Sequence, residues 1–157
     1  YSKSIEKTSE KIWDNTIQCN LKGNFFVIKT LLPLLERGNN KSIVVISSIL
    51  WSFGAWNVSA YCASKGGLTL LVKSLSLELA RKNIRINSVS PSYIETSMIE
   101  SILSDKKLRR RIIQSHPLKR IGNPSDVSNL VLYLLSDMSS WMTGNNIIID
   151  GGRSAYI

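Results

Sequence analysis

Three short runs of branched apolar residues, separated by much longer helical stretches, restrict the fold of this chain more than any other feature. The runs lie at 42–48, 84–90 and 146–150. Apolar residues on both faces of the first run are typical of a buried parallel strand. Strand, helix, strand, helix, strand is the order expected of a parallel sheet with right-handed crossover connections. The sequence therefore predicts an α/β fold.

Local start and stop signals set the expected helix boundaries. Helical stretches are predicted at 9–36, 59–82, 96–114 (in pieces) and 123–136. Ser9 is expected to cap the first helix, and Pro33 suggests a kink near its end. Asn83 is expected to close the second helix. Asn123-Pro124-Ser125-Asp126 starts the last one with a cap, a proline at the first helical position and an early acid.

Length and composition describe one packed domain, or part of one, of 157 residues. The chain begins with Tyr1 rather than methionine, so we expect it to be processed, trimmed or an excerpt of something longer. No apolar run approaches the roughly 18–20 residues of a membrane span, and no signal peptide is recognisable. The two cysteines, Cys19 and Cys62, have no ligand or disulfide spacing, so reduced thiols in a cytoplasmic protein are expected.

The formal charge of +9 raises the question of a nucleic-acid partner. The positive residues are mostly scattered, however, and the one dense run is Lys106 to Arg111. Our first interpretation of that run is the solvated face of a surface helix. Attraction of an anionic substrate or carrier is the second interpretation, and nucleic acid is the third. We expect no nucleic-acid partner.

Tyr61 and Lys65 carry the strongest chemical signal. They lie four residues apart at the start of a helix, so they share one helix face. An ammonium beside a phenol favours phenolate and lowers the phenol's pKa from about 10. Tyr61 is therefore a candidate proton donor and acceptor. Taken alone, the same spacing also describes an ordinary amphipathic pair.

Ser48 and Asn20 are further polar candidates. Ser48 closes the first strand, where parallel α/β folds place reactive groups. Its other interpretation is a hydroxyl that satisfies local backbone. Asn20 lies on an otherwise apolar helix and needs a partner for its amide. A bond to a helix carbonyl would satisfy it.

Together, Asn20, Ser48, Tyr61 and Lys65 resemble, in order and spacing, the active-site tetrad of classical short-chain dehydrogenases/reductases. The second serine of Ile46-Ser47-Ser48 stands thirteen positions before Tyr61, as on the serine strand of that family. Other matching segments are Trp13-Asp14 with Asn20 to Gly23, Ile84 to Pro91, Thr143-Gly144 and Asp150-Gly151-Gly152. The resemblance implies a Rossmann-like doubly wound parallel sheet, of which this chain would hold the C-terminal three-strand portion with flanking helices.

The resemblance also implies roles for these residues. Tyr61 would be the general acid in reduction and the base in oxidation, and Ser48 would steady the carbonyl oxygen. Lys65 would hold the nicotinamide-ribose hydroxyls and lower the Tyr61 pKa. Asn20 would hold a water in a proton relay behind Lys65. The implied cofactor is NAD(P)(H), with NAD or NADP left open.

The segment after the second strand would contact the nicotinamide. Pro91, the backbone of Ile94 and the side chain of Thr96 match positions that bind the cofactor in the family. Thr96 has a second interpretation, as the cap of the next helix. Ser92 stands where the family usually has glycine, which restricts the backbone there. Trp51 replaces a frequently small residue, so it either shapes the substrate pocket or packs.

A dinucleotide site also needs a glycine-rich turn at a helix N-terminus. No G-x-G-x-x-G or related turn occurs in the 157 residues. By the layout of the family that the chain resembles, residues 1–157 would be the C-terminal portion of one Rossmann-like domain without its first strands. We therefore expect an unpaired edge on the first strand, weak NAD(P)H binding and no activity from this segment alone.

The resemblance implies an NAD(P)-dependent oxidoreductase that interconverts a carbonyl and a secondary alcohol. The 3-oxoacyl-carrier-protein reductases and the sugar or polyol dehydrogenases look most similar. The expected partners are a small, and in one interpretation anionic, substrate and further copies of the chain in a dimer or tetramer. The alternatives are an inactive remnant or assembly subunit, a charge-driven nucleic-acid binder, and an extended-family epimerase or dehydratase. No metal site is expected: Asp150 lacks ligand companions, and His116 is interpreted as a loop residue without a serine or an acid at triad spacing.

Overall fold

A three-stranded parallel sheet forms the centre of the computed structural model, which describes residues 3–156. The strands are β1 (Ser42–Ile46), β2 (Arg85–Pro91) and β3 (Asn146–Ile149), and they lie in the order β1-β2-β3. The register places Val45 beside Ser88 and Ser90 beside Ile148. The predicted parallel sheet is confirmed. β2 also includes Pro91, which the sequence had suggested as its stop.

Six α-helices and several shorter helical turns surround the sheet in the described part of the chain. The α-helices are α1 (Glu10–Ile17), α2 (Gly23–Leu35), α3 (Ser59–Ala80), α4 (Glu100–Leu103), α5 (Lys106–Gln114) and α6 (Pro124–Leu135). The 3₁₀ turns are Ile5–Lys7, Ile49–Trp51, Ser97–Ile99, Asp137–Ser139 and Arg153–Tyr156. None of the described helices is both long and apolar enough to cross a membrane.

The predicted first helix is interrupted by a π-helical turn that the sequence did not indicate. Ser9 caps α1 as predicted, since its hydroxyl accepts a hydrogen bond of 3.3 Å from the backbone N–H of Ile12. The π-helical turn at Gln18–Lys22 then joins α1 to α2. Its backbone N–H···O bond runs from Gly23 to Gln18, and a β-carbon at Gly23 would lie 3.1 Å from that carbonyl oxygen. Pro33 lies inside α2, close to its end.

Helices cover both faces of the sheet, as in a doubly wound fold. On one face the apolar core joins α2 and α3 to the strands; its buried members are Ile28, Val45, Leu68, Val72, Leu75, Leu79, Ile84 and Ile86. On β2, Ile86 belongs to this core, whereas the neighbouring Arg85 donates to the carbonyl of Leu134 at the end of α6. Successive strand residues point to opposite faces, so α6 covers the other face.

The connections that enter the site follow the predicted local signals. Asn83 has a left-handed φ of 55° just after α3, which closes that helix as expected. The stretch 96–114 is helical in pieces, as predicted. In α5, the Asp105 side chain caps the first turn and Arg109 forms a 3.1 Å ion pair with Glu95. The basic run lies on an exposed helix, which agrees with its interpretation as a solvated face.

Candidate active site

Ser48 and Tyr61 meet at the carboxyl end of β1. Ser48 directly precedes the 3₁₀ turn Ile49–Trp51, and its hydroxyl oxygen accepts a 3.2 Å hydrogen bond from the Leu50 N–H. That bond orients the side chain and leaves the hydroxyl hydrogen available to donate. Tyr61 lies in the first turn of α3, close enough to Ser48 for hydrogen bonding from the serine hydroxyl to influence the Tyr61 pKa. The sequence-predicted pair is therefore brought together.

Lys65 lies one helical turn after Tyr61 but does not bind its hydroxyl group. Its ammonium nitrogen is 5.6 Å from the centroid of the Tyr61 ring and donates a 3.0 Å hydrogen bond to the carbonyl oxygen of Ile46. Burial lowers the pKa of Lys65 below its ordinary value. The ammonium is thus close to the ring, but its nearest acceptor is the backbone of β1.

The prediction that Lys65 lowers the Tyr61 pKa is wrong in this structure. Burial raises the pKa of the Tyr61 phenol above its ordinary value, and the hydrogen bond with Ser48 counteracts only part of that rise. The physical reason is that a half-buried phenolate loses solvation, while the Lys65 ammonium is directed at a carbonyl. Tyr61 therefore presents a protonated phenol, which is the form needed for proton donation.

Asn20 reaches α3 through a serine. It lies in the π-helical turn, and its side-chain N–H group donates to Ser64 Oγ at 3.1 Å. Ser64 in turn donates to the carbonyl oxygen of Tyr61 at 2.7 Å. Within residues 3–156, Asn20 and Lys65 share no direct hydrogen bond. π-Helical turns occur often at functional sites, and this one aims an amide at the helix that carries Tyr61.

The predicted cofactor segment, 91–96, is held along one of its sides. Glu95 N–H donates to the carbonyl of Gly122 at 2.8 Å, and Gly122 N–H donates to that of Tyr93 at 3.0 Å. Because backbone groups of successive extended residues point in opposite directions, the N–H and C=O of Ile94 face away from Gly122. A β-carbon at Gly122 would lie 2.5 Å from the Ile94 Cδ1, so glycine permits this close approach.

The two ends of that segment differ in exposure. Pro91 is buried beside Ile149 of β3. Thr96 is exposed, and its hydroxyl donates a 3.3 Å hydrogen bond to the Ile94 carbonyl. It occupies the cap position of the 3₁₀ turn Ser97–Ile99 without a side-chain capping bond. The interpretation of Thr96 as a helix cap is therefore not supported by a side-chain hydrogen bond to the helical turn.

Two features near the strand ends could not be inferred from sequence spacing. His116 does lie in a loop, but it is only 2% exposed and contacts Ser92, twenty-four residues away. The indole N–H of Trp51 is buried without a hydrogen-bond partner among residues 3–156. Whether Trp51 shapes a substrate pocket stays a prediction. Histidine before proline carries no local signal of burial, and the sequence marked Trp51 only by its unusual size.

The fold and site define a Rossmann-like α/β protein with a Ser–Tyr pair and a lysine at the carboxyl end of a parallel sheet. A family model described as enoyl-(acyl carrier protein) reductase matches residues 1–154. The chain belongs to the classical short-chain dehydrogenase/reductase family.

Individual relatives agree with this assignment. The chain is 40% identical to a 3-oxoacyl-[acyl-carrier-protein] reductase of Thermotoga maritima, over 94% of this chain and 59% of that protein. It is 36% identical to carbonyl reductase [NADPH] 2 of Sus scrofa, over 94% of this chain and 61% of that protein. Among solved structures, the ligand-free aldohexose dehydrogenase of Thermoplasma acidophilum superposes with a TM-score of 0.94 at 32% identity, over 100% of this chain and 65% of that one. The chain thus spans about 60% of the length of these curated relatives.

Proposed function

We propose that this chain carries the catalytic residues of an NAD(P)-dependent oxidoreductase that interconverts a carbonyl and a secondary alcohol. The observation that carries the proposal is the proximity of Ser48 and Tyr61 at the carboxyl end of β1, with the Lys65 ammonium 5.6 Å from the centroid of the tyrosine ring. The names of the relatives, a 3-oxoacyl-carrier-protein reductase, a carbonyl reductase and an aldohexose dehydrogenase, support a substrate of this class.

The residues at the end of β2 fit a nicotinamide. A carboxamide needs one acceptor and one donor, and the Ile94 backbone directs both away from Gly122. Thr96 could add its hydroxyl, and Pro91 would form a flat apolar wall. Lys65 would exchange the Ile46 carbonyl for ribose hydroxyls, and Asn20 would hold a water behind it. We assign the coenzyme as NAD(P)(H).

The chemistry of the protein in this proposal is proton transfer and orientation. When bound, the coenzyme would supply the hydride for reduction or accept it in oxidation. The Ser48 hydroxyl, positioned by its bond from Leu50 N–H, would hold the substrate oxygen. Tyr61 would give its phenol proton to that oxygen in reduction and take a proton from it in oxidation.

We retain the proposal that residues 1–157 are the C-terminal portion of one Rossmann-like domain, because no glycine-rich phosphate turn occurs among them.

Large apolar side chains on α2 are exposed: Phe26, Val27, Leu31 and Leu34. Their exposure supports a homo-oligomer, a dimer or tetramer. The exposed basic residues of α5 support an anionic substrate, and the free cysteines Cys19 and Cys62 support a cytoplasmic location.

The missing phosphate turn also favours the second candidate, an inactive remnant or assembly subunit. One experiment separates the two: express the natural reading frame from its initiator methionine and follow NAD(P)H absorbance with carbonyl substrates. Tyr61→Phe should lower turnover by at least about 100-fold. Tyr133→Phe is the matched control, because the Tyr133 hydroxyl contacts the sulfur of Met142 at 3.6 Å, outside the site. Turnover that survives Tyr61→Phe would reject the proposed acid–base role, and a native chain without turnover would favour the remnant.

A further inference from the structure

A second nucleophile–base pair lies outside the tetrad. The hydroxyl oxygen of Ser92 is 2.9 Å from Nε2 of His116. Ser92 follows β2 directly, and its own N–H is bound to the carbonyl of Ile149 at 3.1 Å. His116 lies in the loop after α5. The two side chains are thus fixed by different elements that meet at the carboxyl end of the sheet.

The surroundings of His116 select its tautomer. Nδ1 is 2.7 Å from the carbonyl oxygen of Ile112, which can only accept a hydrogen bond. Neutral His116 therefore carries its hydrogen on Nδ1 and presents the lone pair of Nε2 to Ser92. The Ser92 hydroxyl then donates to Nε2. This is the arrangement in which an imidazole acts as base toward a serine nucleophile.

Both side chains line one cavity. Its volume is about 250 Å³. Tyr93, Leu118 and Ile149 form much of its apolar wall. Its charged lining is the Asp150 carboxylate and the ion pair of Arg120 with Asp126. Tyr61, Ser48 and Lys65 are not among the residues that line it, whereas Ile94, whose backbone we assign to the nicotinamide, is. The cavity therefore has the size for a short, uncharged acyl group beside a serine hydroxyl.

We propose that Ser92 and His116 form a second reactive site that accepts the acyl group of small activated esters. In the step, Ser92 Oγ forms a bond to the ester carbonyl carbon as its proton passes to His116 Nε2. The bond to the alkoxy oxygen breaks, and the leaving alkoxide takes that proton from His116. The product is an acyl-serine and a free alcohol, and no oxidation or reduction occurs.

The pair lacks the acid that completes a triad, and this determines the expected rate. The Ile112 carbonyl takes the place of the acid at Nδ1. The nearby Asp150 binds the backbone N–H groups of Gly152 and Ser154, at 2.9 and 2.6 Å. Loss of a working acid costs about 10⁴-fold in serine hydrolases. We therefore expect slow acylation that accumulates on Ser92 rather than rapid turnover, and the test must measure covalent label.

The test uses the chain Tyr1–Ile157 and p-nitrophenyl acetate, with peptide mapping by mass spectrometry. Ser92 and Ser97 lie between the same trypsin sites, after Arg85 and after Lys106, so Ser97 is an internal reference. We expect acetyl on Ser92 in excess over Ser97, no acetyl at this position in Ser92→Ala, and native labelling of Ser92 in Ser97→Ala. Equal labelling of Ser92 and Ser97 would overturn the proposal.

His116→Asn tests the base specifically. Asparagine keeps a side-chain N–H near the position of Nδ1 for the Ile112 carbonyl, but has no group at Nε2. Acetylation of Ser92 should fall by at least about 100-fold, while circular dichroism shows whether the fold is retained. Should this variant fail to fold, His116→Gln answers the same question, since its amide cannot take a proton. Ser92 that is labelled at the native rate in a folded His116 variant would refute the role of His116 as base.

Discussion

Gly144 offers a quantitative test of why a glycine follows Thr143 in this chain. Its φ is +71°, in the left-handed region that side chains rarely adopt. Its N–H donates a 2.7 Å hydrogen bond to the Ile86 carbonyl in β2, so the backbone cannot relax without losing that bond. A β-carbon here would lie 2.6 Å from Ser76 Oγ and 3.2 Å from Ser76 Cβ. Gly144→Ala therefore combines backbone strain with a steric clash.

The expected cost is the sum of two effects. Left-handed backbone costs alanine about 1–2 kcal/mol, and an overpacked core contact costs about 1–3 kcal/mol. The free energy of unfolding should fall by about 2–5 kcal/mol. In a domain of this size that lowers Tm by roughly 4–20 °C. Urea unfolding followed by far-ultraviolet circular dichroism measures the change directly.

Two further variants separate the effects. Adding Ser76→Ala to Gly144→Ala removes the contact with Ser76 Oγ but leaves the 3.2 Å contact with Ser76 Cβ and the left-handed φ of residue 144. The double variant should therefore recover only part of the lost free energy of unfolding. Gly54→Ala is the matched control, because no heavy atom lies within 4 Å of its β-carbon and its φ is ordinary. That change should be neutral or stabilising by up to about 1 kcal/mol. If Gly144→Ala is as stable as Gly54→Ala, the strain argument fails.

Two pH-dependent predictions follow from ionisable groups. The bidentate hydrogen bonds from Arg120, followed by the bond from Asn123 N–H, hold the pKa of Asp126 at about 2, below its ordinary 3.8. The contribution of the Asp126 carboxylate to stability is thus present above pH 3.8 and is lost as the pH falls through about 2. Asp126→Asn should remove this pH dependence from the acid unfolding curve. An acid unfolding curve of unchanged shape in the variant would contradict the argument. Burial raises the pKa of Tyr61 in the folded state above the ordinary value of 10.0. Above pH 10.0 the unfolded chain therefore releases the Tyr61 proton while the folded chain still holds it. The free energy of unfolding should consequently fall as the pH rises past 10.0. Ultraviolet titration should show a tyrosinate phase above pH 10.0 that is absent in Tyr61→Phe and shifted upward in Ser48→Ala, since Ser48 lowers this pKa. An unchanged titration curve in Tyr61→Phe would refute the assignment.

The elements that sequence predicted correctly are those set by neighbours in the chain. Ser9 as a cap, Asn83 as a helix end and the branched runs of the three strands depend on contacts within a few residues. The alternation of these strands with helices then predicted a parallel sheet with right-handed crossover connections. The π-helical turn at 18–22 has no such local mark, because its residues suit an ordinary helix equally well.

The candidate site divides along the same line. Ser48 and Tyr61 were expected in one site, because their order and spacing resemble those of the family's tetrad and Ser48 closes a strand of a parallel sheet. The contact of Ser92 with His116 joins two loops, and no periodicity reports on loop contacts. The direction of the Tyr61 pKa was wrong for a related reason. Sequence shows which charge is four residues away, but burial and the partner of that charge are tertiary properties.

The Lys65 contact with Ile46 shows how the sheet edge and the site are connected. Lys41 and Ser47 bind β2 through their backbone groups, so those of Ile46 point to the opposite edge of β1, which is unpaired among residues 3–156. Lys65 thus satisfies a carbonyl at an open sheet edge. A strand paired there would offer its own N–H group to that carbonyl and release the ammonium, 5.6 Å from the Tyr61 ring. A released ammonium next to the phenol would lower the Tyr61 pKa, because the Lys65 ammonium would then stabilise the Tyr61 phenolate without the Ile46 carbonyl as a competing acceptor. Pairing of the β1 edge would therefore be expected to lower the pKa of Tyr61.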